Sequence, residues 1–124
     1  YGRSRGLGDV YKRQILESNK IEVYDLAMVI GVLIHIAPKY LPLAYENIYG
    51  ATRKYILIGE YYSRQPEEVS YRGYKNKLFK RDFAGEMLDK YTDLRLVDYG
   101  FFYHKDESSK LDDITWFLME KADI

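Results

Sequence analysis

From Ile21 to Ile36 the chain reads IEVYDLAMVIGVLIHI. Tyr24 and Asp25 form a polar lead-in, and from Leu26 onward nearly every position is apolar, with Val and Ile prominent. Such a run predicts a strand covered on both faces, as central parallel strands are. Gly31 is the expected point where the strand ends and the backbone turns. A helical period then takes over. Leu41, Ala44, Tyr45 and Ile48 follow i, i+3, i+4, i+7, which predicts a helix over residues 38–49 with one buried stripe. Pro38 and Pro42 suit its first turn, where a missing amide hydrogen costs little, and Gly50 is its expected stop. Thr52-Arg53-Lys54 leads into a second apolar run, YILIGEYY, from Tyr55 to Tyr62. Strand, helix, strand at this spacing is a βαβ unit with an expected right-handed crossover.

Ser63 to Leu78 is polar, tyrosine-bearing and without period, a long connection of the kind that carries function. Phe79, Phe83, Met87 and Tyr91 then recur every fourth residue beside Ala84 and Leu88, with Asp82 placed to cap. This predicts a helix from about Asp82 to Tyr91. Leu94–Tyr103 and Ile114–Lys121 read as two strands separated by HKDESSKLDD, most simply an antiparallel pair. The order is β-α-β-loop-α-β-β, an α/β fold. Phe83, Met87, Leu88, Trp116, Phe117 and Leu118 are its expected core.

Composition narrows the class. The chain has 124 residues, 14 of them Tyr, no Cys, and 19 basic against 19 acidic side chains. One globular domain fits that length, and without Cys there is no disulfide framework or thiolate metal site. The longest apolar run, about eleven residues, is too short to span a membrane, and nothing resembles a signal peptide, so a cytoplasmic setting is expected. Residues 1–14, YGRSRGLGDVYKRQ, stand apart, with three of the nine glycines, four bases against one acid, and no hydrophobic period. Their end, DVYKRQ, reads back as GAT GTG TAT AAG AGA CAG, the end of a transposon-type sequencing adapter. They are therefore expected to be a non-native scar, with a partial domain over residues 15–124 cut at Ile15. Gly6-Leu7-Gly8 imitates a phosphate loop, but no strand precedes it and no helix pattern follows. Residues 15–124 keep 15 basic and 18 acidic groups, a formal charge of −3, which argues against a nucleic-acid partner.

The order of elements, ending in an antiparallel pair, resembles the C-terminal half of a class I S-adenosylmethionine-dependent methyltransferase, a Rossmann-like fold. YDLAMVIGVLIHIAP looks like that family's fourth strand and following turn, with Val32, Leu33, His35 and Ile36 in a "VLxHI" pattern, and YILIGEYY looks like its fifth strand. YRGYKNKLFKRDFAGEMLDKYTDLRLVDYGFFYHKD and DDITWFLMEK are similar to the methyltransferase-like proteins associated with pseudaminic (nonulosonic) acid biosynthesis. The resemblance implies S-adenosyl-L-methionine as cofactor, with Gly31, Val32 and Leu33 beside it. The family's glycine-rich first strand and the acidic residue after its second strand would both precede Ile15. The cofactor site is thus expected to be incomplete, and the piece inactive alone.

Methyl transfer needs a nucleophile held near a sulfonium methyl group and a base for its proton. Ligands of open α/β sheets sit beyond the carboxyl ends of parallel strands. His35 lies after the first strand and Glu60 at the end of the second. The resemblance makes those strands neighbours, about 4.8 Å apart, so both side chains are expected in one cleft. His35 is assigned as general base or substrate orienter, against a turn histidine holding a carbonyl. Glu60 is assigned as acceptor for substrate hydroxyls, against an exposed strand-end carboxylate. Tyr61, Tyr62, Tyr71, Arg72 and Tyr74, with Lys80 and Arg81, suit a sugar or sugar nucleotide, because rings stack on sugars and Arg grips phosphate or carboxylate. Tyr103 and His104 are candidates for the same mouth. Asp106, Asp112 and Asp113 match no ligand spacing and read as a polar turn, so no metal is expected.

Two other classes compete. One is a small tyrosine-rich interaction domain without catalysis, and the other is a nucleic-acid module, which the negative charge disfavours. In the resembled fold the first strand would lose its outer neighbour on truncation. A long apolar edge of this kind predicts aggregation or dimerisation.

Overall fold

The computed structural model describes residues 12–13, 15–16, 23–70, 77–109 and 111–122. Strand β1 covers Tyr24–Ile30 and β2 covers Thr52–Glu60, and the two run parallel with Ala27 beside Ile56 and Val29 beside Ile58. Gly31 ends β1 at φ +70°, a left-handed conformation that glycine adopts without strain. The apolar run continues beyond it, but as a 3₁₀ turn at Leu33–His35 that buries Leu33, Ile34 and Ile36. A second 3₁₀ turn, Pro38–Tyr40, leads into helix α1, Leu41–Ala51. The expected stripe of Leu41, Ala44, Tyr45 and Ile48 is its buried face.

Gly50 does not stop α1; it lies inside the last turn, and the chain passes from Ala51 directly into β2. The stop comes from a distant strand. Lys121 Nζ donates to the carbonyls of Tyr49 (2.7 Å) and Thr52 (2.6 Å), so a cation holds the free carbonyls at the helix end.

The long connection is not structureless. Glu67–Ser70 (β3) and Lys77–Lys80 (β4) pair antiparallel, with Val69 opposite Leu78 and Glu67 opposite Lys80. Four-residue strands with alternating charge carry too short a period to register in sequence. Helix α2, Phe83–Lys90, begins where expected, and the Asp82 carboxylate accepts from the Gly85 amide at 2.9 Å.

Strands β5 (Leu94–Phe102) and β6 (Ile114–Lys121) are antiparallel as expected. The sheet order is β1-β2-β6-β5, so β6 also pairs antiparallel with β2, and β1 and β5 are the edges. Ile56, Ile58, Val29 and Met119 pack with Phe83, Ala84 and Met87 of α2 and the stripe of α1. Burying each large apolar side chain contributes roughly 1.5–3 kcal/mol, more than an exposed pair such as Arg53–Asp25 contributes. Trp116, Phe117 and Leu118, expected in the core, are only partly buried, while Met119 is fully enclosed. Period-two alternation sends Phe117 and Met119 to the helix side, and Trp116 and Leu118 to the other face. On that other face of β1, Tyr24, Leu26 and Met28 are 53%, 46% and 60% exposed. No helix among the described residues is long and apolar enough to cross a membrane.

Candidate functional site

The parallel pair β1–β2 brings two segments to one edge of the sheet, the turn 31–36 after β1 and Glu60–Tyr62 at the end of β2. The ladder runs to the limit of the strands, with the Gly31 amide donating to the Gly59 carbonyl at 2.9 Å. Beyond that point the turn has no side chain of its own to satisfy its first amides. Glu60 supplies it. Its Oε2 accepts from the Val32 amide at 3.1 Å and its Oε1 from the Ile34 amide at 3.2 Å. The left-handed Gly31 followed by the helical Val32 (φ −114°, ψ −45°) points successive amides into one concavity, a backbone nest for an anion. Here the anion is the protein's own.

Glu60 is 3% exposed. Burial pushes its carboxyl up to about 8, against the downward pull of the amides of Val32, Ile34, Leu33 and Gly31. Neither expectation for this residue describes its placement. It is not an exposed strand-end carboxylate, and its oxygens face the turn rather than the solvent. Alternation along β2 is the reason. Ile56, Ile58 and Glu60 share the covered face, and that periodicity was the sequence signal for an inward Glu60.

His35 sits exposed at the end of the 3₁₀ turn, its own amide bonded to the Val32 carbonyl at 3.0 Å. His35 and Glu60 are thus brought together through the turn, since Glu60 grips the amide of the residue before His35. Val32 and Leu33 are buried, and the Gly31 and Val32 amides are spent on Gly59 and Glu60.

Strand β4 packs on this turn. Lys80 Nζ lies 5.7 Å from the centre of the Tyr61 ring, and the Ser63 amide reaches the Arg81 carbonyl at 3.4 Å. Arg81 is only in part where its assignment needs it. Its Nε is bonded to Glu86 Oε2 at 2.7 Å, and the Tyr45 hydroxyl donates to the other oxygen, also at 2.7 Å. Burial and that bond raise the Tyr45 hydroxyl far above its ordinary range. Glu86, missed in the sequence, thus joins α1, α2 and the exit of β4. Its only signal was its place in the first turn of a capped helix.

Tyr62 is 44% exposed, its ring 6.1 Å from that of Phe117. Tyr103 and His104 follow β5 at the same sheet edge, because Phe102 pairs with Ile114 and Glu60 with Thr115. With β6 between them, they stand about two strand spacings, roughly 10 Å, from β2. Tyr71, Arg72 and Tyr74 lie outside the described residues. His104, Asp112 and Asp113 each bring one donor atom within 4.8 Å of the others, a set able to hold a divalent cation. At present His104 Nδ1 and Asp113 Oδ1 face each other at 3.0 Å, and Asp106 is instead bonded to Ser108.

No protein-family model and no curated protein matches the chain. Solved structures do. A 1,6-didemethyltoxoflavin-N1-methyltransferase of Burkholderia thailandensis, with bound 1,6-didemethyltoxoflavin and S-adenosylhomocysteine, matches at a TM-score of 0.68. It shares 15% identity, over 88% of this chain and 48% of that one. An S-adenosylmethionine-dependent methyltransferase of Clostridium acetobutylicum matches at 0.56 and 10% identity, over 88% and 63%. The chain has the fold of S-adenosylmethionine-dependent methyltransferases. DhpI in complex with SAH also matches, at 0.53 and 8% identity over 89% of this chain and 53% of that one. The chain spans 48–63% of the length of these proteins.

Proposed function

We propose that this chain is the acceptor-side, C-terminal part of an S-adenosylmethionine-dependent methyltransferase, with β1 and β2 as the fold's fourth and fifth strands. The observation that supports this most directly is the convergence of the turn 31–36 and Glu60–Tyr62 at the carboxyl edge of a parallel pair. A cavity of about 540 Å³ opens along β1, lined by Tyr24, Ala27, Met28, Ile30, Val32 and Ile48. Its size and apolar walls suit one side of a nucleoside-bearing donor. Gly31, Val32 and Leu33 would border that donor with backbone carbons and side chains, because the Val32 amide is committed to Glu60.

When bound, the donor supplies an electrophilic methyl carbon. His35, exposed on the turn, orients the acceptor hydroxyl or amine and takes its proton at an imidazole nitrogen. Tyr61 and Lys80, with Tyr62, Tyr71, Arg72 and Arg81 around them, hold the acceptor by ring stacking and charge. Tyr103 and His104 close the far side of the mouth. The acceptor is assigned to acidic sugars of the nonulosonic class or to sugar nucleotides, on the resemblance of the 71–106 and 112–121 stretches. The apolar face and outer edge of β1 are where the chain associates with further polypeptide, including a second copy of itself.

The test is the complete reading frame, expressed and incubated with methyl-labelled S-adenosylmethionine and acidic sugars or sugar nucleotides. Label transfer is expected, with His35→Ala lowering kcat by at least about 100-fold. Transfer only to another acceptor class would overturn the sugar assignment and keep the reaction. An upstream sequence without a glycine-rich strand, together with no transfer at all, would overturn both.

A further inference from the structure

We infer that Glu60 is a positioning residue, acting on the acceptor site only through the turn it grips and setting where His35 stands. Three independent features converge on it. First, the carboxylate is enclosed while the residue it serves is exposed. Second, its two oxygens divide between the amides of Val32 and Ile34, two residues apart, so they fix both ends of one short arc. Third, the arc continues without slack into His35, whose amide closes back on the Val32 carbonyl, while Ile36 closes on Leu33 at 3.1 Å. Leu33, Ile34 and Ile36 anchor the arc from below, leaving His35 as the side chain it presents outward.

A carboxylate with two acceptor oxygens matches a nest of amides, whereas a neutral acid or an amide group offers one good acceptor and places a donor against the other N–H. Proton loss from Glu60 therefore tightens the turn, and proton gain slackens it. The elements around it carry His35 on the turn, Lys77 and Lys80 on β4, Arg81 after β4, and Tyr61 on the exit of β2. Any of these would report on a change in the turn, and His35 most directly. The inference rests on the methyltransferase reading only for what His35 then does; the grip itself is independent of it.

The experiment is an NMR titration of the 124-residue chain from pH 5 to 9, following the Glu60 side-chain carboxyl carbon, the Val32 and Ile34 amides and the His35 ring carbon. The expected result is one inflection shared by Glu60, both amides and His35, in addition to the ring's own titration. In Glu60→Gln the shared inflection is lost from both amides and from His35, while the β5–β6 amides keep their shifts. Should Glu60→Gln fail to fold, the wild-type titration decides alone. A Glu60 inflection that leaves the Val32 and Ile34 amides, or the His35 ring, unmoved overturns the inference. Failure of the methyltransferase reading shows separately, as absence of methyl transfer by the complete reading frame with these titrations intact.

Discussion

The buried carboxylate that shapes the turn should also make the fold weaker as the pH rises. In the unfolded chain Glu60 titrates near its ordinary 4.5, and in the folded chain near 8. Between those values the folded protein keeps a proton that the unfolded chain has released, so stability falls with rising pH across this window. The contribution is complete below pH 4.5 and gone above about 8. At 1.36 kcal/mol per pH unit, the gap amounts to about 5 kcal/mol, comparable with the whole stability of a small domain. Glu60→Gln tests this with little change in volume. Glutamine resembles the protonated acid, with one oxygen for one amide, and it cannot ionise. The variant is expected within about 1 kcal/mol of wild type at pH 5 and about 4 kcal/mol more stable at pH 8. Urea unfolding followed by Trp116 fluorescence, at four pH values with a shared m, measures the difference. Parallel stability curves for the two proteins would refute the reasoning, because they would show that Glu60 is ionised in both states or in neither. A variant that gains stability while losing control of His35 is the usual exchange between stability and function at a site.

Three further outcomes are expected. Gly100→Ala places a Cβ 2.6 Å from the ring atoms of Trp116 on the paired strand, and overpacking of this kind costs about 1–3 kcal/mol. A lowered urea midpoint, restored by adding Trp116→Leu, checks it, and an unchanged midpoint counts against the contact. Met119→Ala empties a fully enclosed position between the helices and the sheet and should cost about 2–5 kcal/mol, whereas Leu118→Ala on the open face should cost less. Denaturant unfolding of both variants settles the order. Sedimentation velocity of the 124-residue chain should show association that Met28→Lys weakens, since Met28 is 60% exposed on the open face of β1. A monomeric wild type would remove that expectation.

The neighbourhood of Glu60 also explains how a short chain can hold a shaped site. Tyr45, Glu86 and Arg81 tie α1 to α2 and to the exit of β4, and β4 in turn packs on the turn that bears His35. The acceptor side is therefore braced from two directions, by amides from below and by the hairpin from above. The aromatic group at its rim, Tyr61 and Tyr62, is attached to the end of a central strand rather than to a free loop.

By itself the sequence determined what depends on local periodicity. The α1 stripe, the Asp82 cap, the turn at Gly31 and the two final strands are encoded within a few residues of where they act, so chain spacing was enough to read them. Tertiary structure decided what depends on groups far apart in the chain. Lys121 ends α1 from more than sixty residues away, Glu86 claims Arg81 only after two helices have met, and β3 and β4 are too short to exist except as a pair. Glu60 is the clearest case. Its type suggested chemistry and its position suggested a cleft, but whether a strand-end carboxylate meets water or amides depends on which face is covered. That choice belongs to packing, because the cost of burying a charge is balanced only by partners that the fold has already brought into place.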